Sequence, residues 1–294
     1  VEITYLTYQQ INKPKWDACI DKAADGLIYG YSFYLDAMAK NWDALVLSAG
    51  SGGGDYEAVM PLTWNKKYSI HYLYQPAFTA CLGVFGKSVT AETVNAFLQA
   101  IPSKFKYWDI YFNPGNLFKL TDFDLYHRMN YVLSLNNNYE KLHAAYRQNI
   151  QRNIKKSGQF QLSINKNIPV ADVIKLAKEQ SNSFAAVAAD DFLRFEKLFH
   201  LLYSKQKATT YGVYTKEGQL IASAVFFFSH SRAYYIMVGN HPNGKTLGAS
   251  HALINAFIVV LIVFKLIPVA SSMSRIDKSI SLFAFILSIK NSST

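Results

Sequence analysis

The chain has 294 residues, half of them apolar, 15 glycines, two cysteines and a formal net charge of +10. That is enough to bury a large core, and the length suggests two domains of ordinary size. Cys19 and Cys81 are too few for a disulfide framework and lack metal-ligand spacing, so no metal is expected. No basic stretch leading into an apolar signal segment opens the sequence, and the expected compartment is the cytoplasm. The charge is uneven. Residues 1–138 hold 11 Lys/Arg against 12 Asp/Glu, whereas residues 139–294 hold 19 against 8. The basic half suits a phosphate-bearing cofactor or RNA, or is simply a soluble surface.

In chain order, Ile3–Tyr8 alternates as a strand and Lys13–Ala24 reads as a helix with Pro14 in its first turn. A tyrosine-rich entry, Tyr29 to Tyr34, precedes a helix over Phe33–Lys40. Strands are expected at 44–47, 56–64 and 70–74, with Ser51-Gly52-Gly53-Gly54 as the hairpin turn between the first two. Val94, Phe97, Leu98 and Ile101 have helical spacing, so 91–101 is a helix, followed by strands at 107–112 and 131–135. The first half is thus a mixed α/β unit with six or seven strands.

Asn136-Asn137-Asn138 caps a helix predicted to run without a break to Gly158. Leu142, Tyr146, Ile150 and Ile154 form its buried stripe; Arg147, Arg152, Lys155 and Lys156 lie off it. We expect this helix to join the domains. A strand (160–164), helices (170–184 and 190–205) and three antiparallel strands (211–214, 220–228 and 233–238) follow. A glycine-containing loop then feeds a helix opening at Ala249, an arrangement in which free N–H groups and the helix dipole favour phosphate. Ala256–Phe264, AFIVVLIVF, is apolar on every side and largely β-branched, unlike a helix covering one sheet face, and too short to span a membrane. Asp277 is the one acidic residue after Glu217.

Four stretches carry a family resemblance: LIYGYSFYLDAMAKNWDALV, YEAVMPLTWNKKYSIHYLYQPAFTACLGVFG, YVLSLNNNYEKLHAAYRQNIQRNIKKSG, and GVYTKEGQLIASAVFFFSHSRAYYIMVGNHPNGKTLGASHALINAFI. Together they resemble tandem GNAT-type N-acyltransferases, in particular the Fem-type peptidoglycan bridge-forming aminoacyltransferases. The implied fold is α/β (α+β): two GNAT-like domains, each a mixed, mainly antiparallel sheet flanked by helices. The expected boundaries are residues 1–138, a basic linking helix at 139–158, and 159–294. The implied activity is transfer of an acyl group, acetyl first, from acyl-CoA to a small-molecule or peptide amine, with neither DNA nor a membrane span involved. A Fem-like enzyme drawing an aminoacyl group from tRNA is the alternative, and a non-catalytic binding module a further one. By resemblance, Gly244, Lys245, Leu247, Gly248 and Ala249 occupy the pyrophosphate loop, and the strand through Met237 and Val238 offers backbone to the donor. Past Ile258 the likeness fails: Pro268–Met273 reads PVASSM, and only Lys278–Phe283 keeps the family's pattern.

Amine acylation needs a base for the amine and an acid for the leaving thiolate. The nearest titratable side chains are Tyr234, Tyr235 and His241, each with an ordinary alternative, strand packing or a solvated loop; Tyr235 and His241 are the catalytic candidates. Tyr29, Tyr74 and Gln75 are expected to line a substrate pocket between the domains, with Asn149, Arg152 and Asn153 of the basic helix facing it. Gly239–Thr246, GNHPNGKT, also matches the P-loop pattern, but no later apolar run ends in a magnesium-binding Asp, so an NTPase is the weaker reading.

Overall fold

The computed structural model describes residues 2–50, 54–126, 129–180, 187–263, 279–284 and 288–290. Two compact units result. Unit 1 comprises Val1–Asn130 together with Ala284–Thr294, and unit 2 is Tyr131–Phe283. Residues 139–158 therefore lie within unit 2.

Unit 1 contains β1 (Ile3–Leu6), α1 (Lys13–Lys22), α2 (Ser32–Met38), β2 (Asn41–Ser48), β3 (Tyr56–Lys67), β4 (Ile70–Tyr74), β5 (Phe85–Gly86), α3 (Ala91–Gln99) and β6 (Phe105–Tyr111). Asn12 caps α1 by accepting from the Lys15 N–H, with Pro14 in the first turn, and Thr90 caps α3. The sheet order is β1-β2-β3-β4-β6, with β5 on β3; β1 to β4 are antiparallel and β4 to β6 is parallel, α3 making the crossover. The seventh strand, Ser288–Lys290, pairs antiparallel with β6. Trp16, fully buried, donates its indole N–H to the Gly30 carbonyl at 2.7 Å.

Unit 2 contains β7 (Asn130–Ser134), α4 (Tyr139–Ala144), α5 (Gln148–Gln159), β8 (Ser163–Lys166), α6 (Val170–Gln180), α7 (Ala189–Ser204), β9 (Ala208–Tyr214), β10 (Leu220–Ser229), β11 (Arg232–Asn240), α8 (Pro242–Leu247), α9 (Ala249–Val263) and β12 (Ser279–Ala284). Ser288–Lys290 is β13. The sheet order is β7-β12-β11-β10-β9-β8. Its two faces are apolar in alternation, as a sheet covered on both sides requires. Ala222, Ala224, Phe226 and Phe228 join a core with Leu253, Phe257 and Leu261 of α9 and Leu142 of α4, while Phe227 stacks on Phe195 of α7.

Three local expectations are corrected. The helix over 139–158 is two helices. Arg147 is extended (φ −59°, ψ 146°), and the Gln151 side chain bridges the break by donating to the His143 and Tyr146 carbonyls, each at 3.2 Å. Nor does Gly158 stop the second helix, which ends at Gln159. The apolar run from Ala256 continues α9 to Val263 despite its β-branching, because Phe257, Ile258 and Leu261 are buried and Phe257 stacks on Phe226 with centroids 3.5 Å apart. Tertiary packing of this kind overrides a weak intrinsic preference. Residues 181–184 of the expected helix, Lys278, and the segment 268–273 lie outside the described residues. Among the described residues, no helix is long and apolar enough to cross a membrane.

Candidate active site

The edge of β11 is the feature that positions a site in unit 2. Paired with β10, β11 is regular from Arg232 to Tyr235, then slips register: Phe226 faces Tyr235 but Val225 faces Met237, leaving Ile236 as a bulge. On its other side β11 pairs in parallel with β12 at four positions, ending at Tyr235 with Leu282. Both strands continue, β12 to Ala284 and β11 to Asn240, without further pairing to each other among the described residues. Bulge and parting therefore fall at the same place. Beyond it the β11 edge presents backbone polar groups with no β12 ladder, which is how a sheet makes room for an extended ligand.

Tyr235 lies on this strand and His241 directly follows it. Tyr235 stacks on Phe226 (centroids 5.1 Å apart, 22° between planes) on the α9 side, and burial drives its hydroxyl pKa far above the ordinary value for tyrosine. It stays protonated, so it can donate a hydrogen bond but does not serve as a base. His241 caps α8: its Nδ1 accepts the Asn243 N–H at 3.2 Å. The Nδ1 lone pair that base catalysis would use is thereby occupied.

Residues 242–247, expected as an open loop, form the short helix α8. The Lys245 N–H bonds to the His241 carbonyl at 3.2 Å, and the His241 N–H to the Ile221 carbonyl at 2.9 Å. Two glycines here answer to packing. A Cβ on Gly244 would stand 2.1 Å from the Ile221 carbonyl oxygen. Gly248 ends α8 in the left-handed region (φ 73°), where a Cβ would stand 2.4 Å from the Asn153 carbonyl oxygen. The P-loop reading fails for the same reason: Gly239 is a strand residue whose Cβ would meet Leu176 at 2.8 Å, and its residues to Thr246 are strand end and helix. Lys245, Leu247 and Ala249 follow along α8 and into α9.

Helix α5 packs beside this junction. Asn153 lies 3.4 Å through its amide nitrogen from His251 Nδ1. Asn149 and Arg152 are exposed. His251 and Ser250, which donates to the Asn240 carboxamide oxygen, were missed by sequence reasoning; their place in the first turn of α9, just after Gly248, was the available signal.

The remaining three expected residues are in unit 1 and are engaged internally. Tyr29 is buried edge-on to Tyr34. The Tyr74 hydroxyl accepts the Lys40 N–H at 2.8 Å. Gln75 accepts the Tyr111 N–H at 3.0 Å and donates to the Thr79 carbonyl at 2.9 Å. Among the described residues, no three His, Cys, Asp or Glu side chains cluster as metal ligands.

With this geometry in hand, three solved structures are informative for comparison. FemX superposes with a TM-score of 0.63 at 10% identity, covering 100% of this chain and 90% of that one. The fold is that of a tandem GNAT protein. A tandem GNAT protein from the clavulanic acid biosynthesis pathway matches at TM-score 0.53 and 10% identity over 98% of this chain and 97% of that one. A conserved protein from Bacteroides thetaiotaomicron matches at 0.55 and 10% over 95% and 96%. No family model matches the chain, and no curated protein does. At such identities the likeness is one of fold.

Proposed function

We propose that the chain is an N-acyltransferase that takes an acyl group, acetyl first, from acyl-CoA to an amine at the β11 edge of unit 2. The observation that carries this is the coincidence of the Ile236 bulge with the point where β12 leaves β11. An extended pantetheine arm carries two amides, which suit the backbone groups of Ile236–Asn240 in place of a neighbouring strand. A backbone N–H re-aimed by the bulge would stabilise the oxyanion formed when the amine nitrogen attacks the thioester carbonyl. Collapse of that intermediate breaks the C–S bond; the attacking nitrogen gives up a proton and the departing thiolate takes one, with the neutral Tyr235 hydroxyl as the nearest named hydrogen-bond donor. Lys245 and the first turn of α9 would meet the phosphates.

A second reading, a donor carried on RNA, is favoured by one specific feature. No Asp or Glu lies between Glu140 and Asp172, or on α8 and α9, while α5 carries Arg152, Lys155 and Lys156. Thermal unfolding with acetyl-CoA, and separately with RNA across a salt series, tests both. Acetyl-CoA at 100 times its Kd should add about 2.7 kcal/mol of stability, and Lys245→Glu should remove most of that gain. Stabilisation by RNA alone, weakening steeply with salt, would favour the second reading. Absence of any response to either ligand at millimolar and micromolar concentration respectively would leave a non-catalytic module and sink the enzymatic reading.

A further inference from the structure

At the tip of the β3–β4 hairpin in unit 1, residue choice and backbone conformation are at odds. Lys67 pairs with Ile70 across a two-residue loop, and both loop residues are left-handed, Tyr68 at φ 48° and Ser69 at φ 65°. Loops of this kind favour Asn-Gly or Asp-Gly, because a bulky side chain is strained at positive φ. A tyrosine is therefore a costly occupant. Its ring is 87% exposed and meets the Lys67 ammonium 5.4 Å from its centroid, a surface contact of little weight, so packing does not account for it.

The surroundings of Tyr68 repeat its character. Ile70 is 52% exposed and Tyr107 40%, and the register Lys67–Ile70, Asn65–Tyr72 and Tyr72–Tyr107 sets both on one face of the sheet. Lys66, Lys67 and Lys106 are exposed around them, and among the described residues none of the three is in an ion pair. No Asp or Glu occurs between Glu57 and Glu92. Asp109, on the face of Tyr107, stands opposite Tyr74, away from the tip. The tip is thus apolar and cationic at once.

That pairing of properties selects its partner. Lysine is a point charge on a long apolar stem, able to reach an anionic headgroup while the stem lies along hydrocarbon, and tyrosine is suited to the boundary between the two. An aliphatic Ile70 has no face on which a base could stack, and the tip carries no arginine for bidentate phosphate contact, which disfavours RNA. Ladder pairing up to Lys67 and Ile70 keeps the backbone satisfied, so a hairpin tip can enter a headgroup layer without orphaned N–H groups. We propose that this hairpin docks unit 1 on the surface of an anionic phospholipid bilayer, with Tyr68 and Ile70 in the headgroup region and Lys66, Lys67 and Lys106 on lipid phosphates. The surface is independent of acyl transfer in unit 2.

Cosedimentation of the full chain tests it, with vesicles of phosphatidylcholine alone, vesicles of phosphatidylcholine mixed with phosphatidylglycerol, and a single-stranded RNA oligomer as the competing polyanion. Saturable binding to the mixed vesicles is expected, weakening as salt rises. Lys66→Gln with Lys67→Gln should lower affinity about five-fold per lysine. Lys155→Gln with Lys156→Gln removes the same charge from α5 and should change vesicle affinity less than about two-fold. Tyr68→Asn with Ser69→Gly installs the residues that such a loop favours; Tm should hold or rise while vesicle affinity falls about three-fold or more. The proposal is overturned by equal binding to neutral vesicles or none to mixed ones, and by an α5 variant that loses as much as the hairpin lysine variant, which would make net charge the cause. Undiminished vesicle affinity in the folded Tyr68→Asn, Ser69→Gly protein would overturn it too, as would RNA binding that the hairpin lysine variant abolishes while vesicle binding persists.

Discussion

Each unit contains a parallel strand pair, β4 with β6 and β11 with β12, and the two pairs end differently. In unit 2, β11 and β12 share four register positions and then separate at the Ile236 bulge. In unit 1, β4 and β6 also share four, from His71 with Phe105 to Tyr74 with Asp109, but the next step is filled. There the Gln75 side chain takes the Tyr111 N–H, and a parallel bridge joins Leu82 to Phe112. One side-chain amide thus does in unit 1 what a further strand residue would do, and the corresponding edge of unit 2 has no such filler among the described residues. Two copies of one architecture can therefore differ in ligand capacity through the residue that follows a strand.

The largest effect that sharpens this contrast is expected at Gly248, because the junction beside the parted strands is held by backbone contact. Gly248→Asp combines a left-handed φ with a Cβ 2.4 Å from the Asn153 carbonyl oxygen. It should cost roughly 3 kcal/mol or more in chemical denaturation, so it reports on folding rather than on phosphate binding. Next comes Gln75→Leu, which leaves the Tyr111 N–H without its acceptor. A loss of about 1–3 kcal/mol and faster hydrogen exchange at the Tyr111 amide are expected; unchanged exchange would mean that Gln75 does not close unit 1.

The smallest effect is alkaline and can be read in both units. Burial raises the Tyr235 pKa, and burial followed by the Asp43 hydrogen bond raises that of Tyr5. Above pH ~10, where an unfolded tyrosine ionises, the folded protein keeps more protons than the unfolded chain, and stability must fall as pH rises. Below that pH the contribution is fully present. Tyr235→Phe should flatten the decline in Tm between pH 9 and 11, and Tyr5→Phe should flatten it less, its ring being more exposed to solvent. A decline of equal slope in Tyr235→Phe would remove burial as the cause.

Much of this fold was legible beforehand. The apolar run Leu220–Phe228 and the helical spacing of Val94, Phe97, Leu98 and Ile101 are local signals, and each produced the expected element. The bulge was not legible, because register depends on which residues of β10 face β11, and nothing in the residues around Ile236 marks an extra one. The glycines near Gly244 misled for a related reason: a glycine needed where two backbones touch looks the same in sequence as one needed to cradle a phosphate. The break at Arg147 was hidden because its rescue comes from Gln151, a side chain without a distinctive turn signature. Gln75 read as a pocket residue since a polar side chain after an aromatic strand does not reveal which amide it will meet.

The last described strand also bears on how the molecule is made. Residues 288–290 add to β6, although everything from Tyr131 to Phe283 intervenes and builds the other unit. The outer edge of β6 therefore waits, uncovered, while more than half of the polypeptide is still being synthesised, and an uncovered strand edge invites unwanted partners. Completion of the amino-terminal unit is tied to translation of the carboxy-terminal one, and no single cut can separate the two as finished bodies.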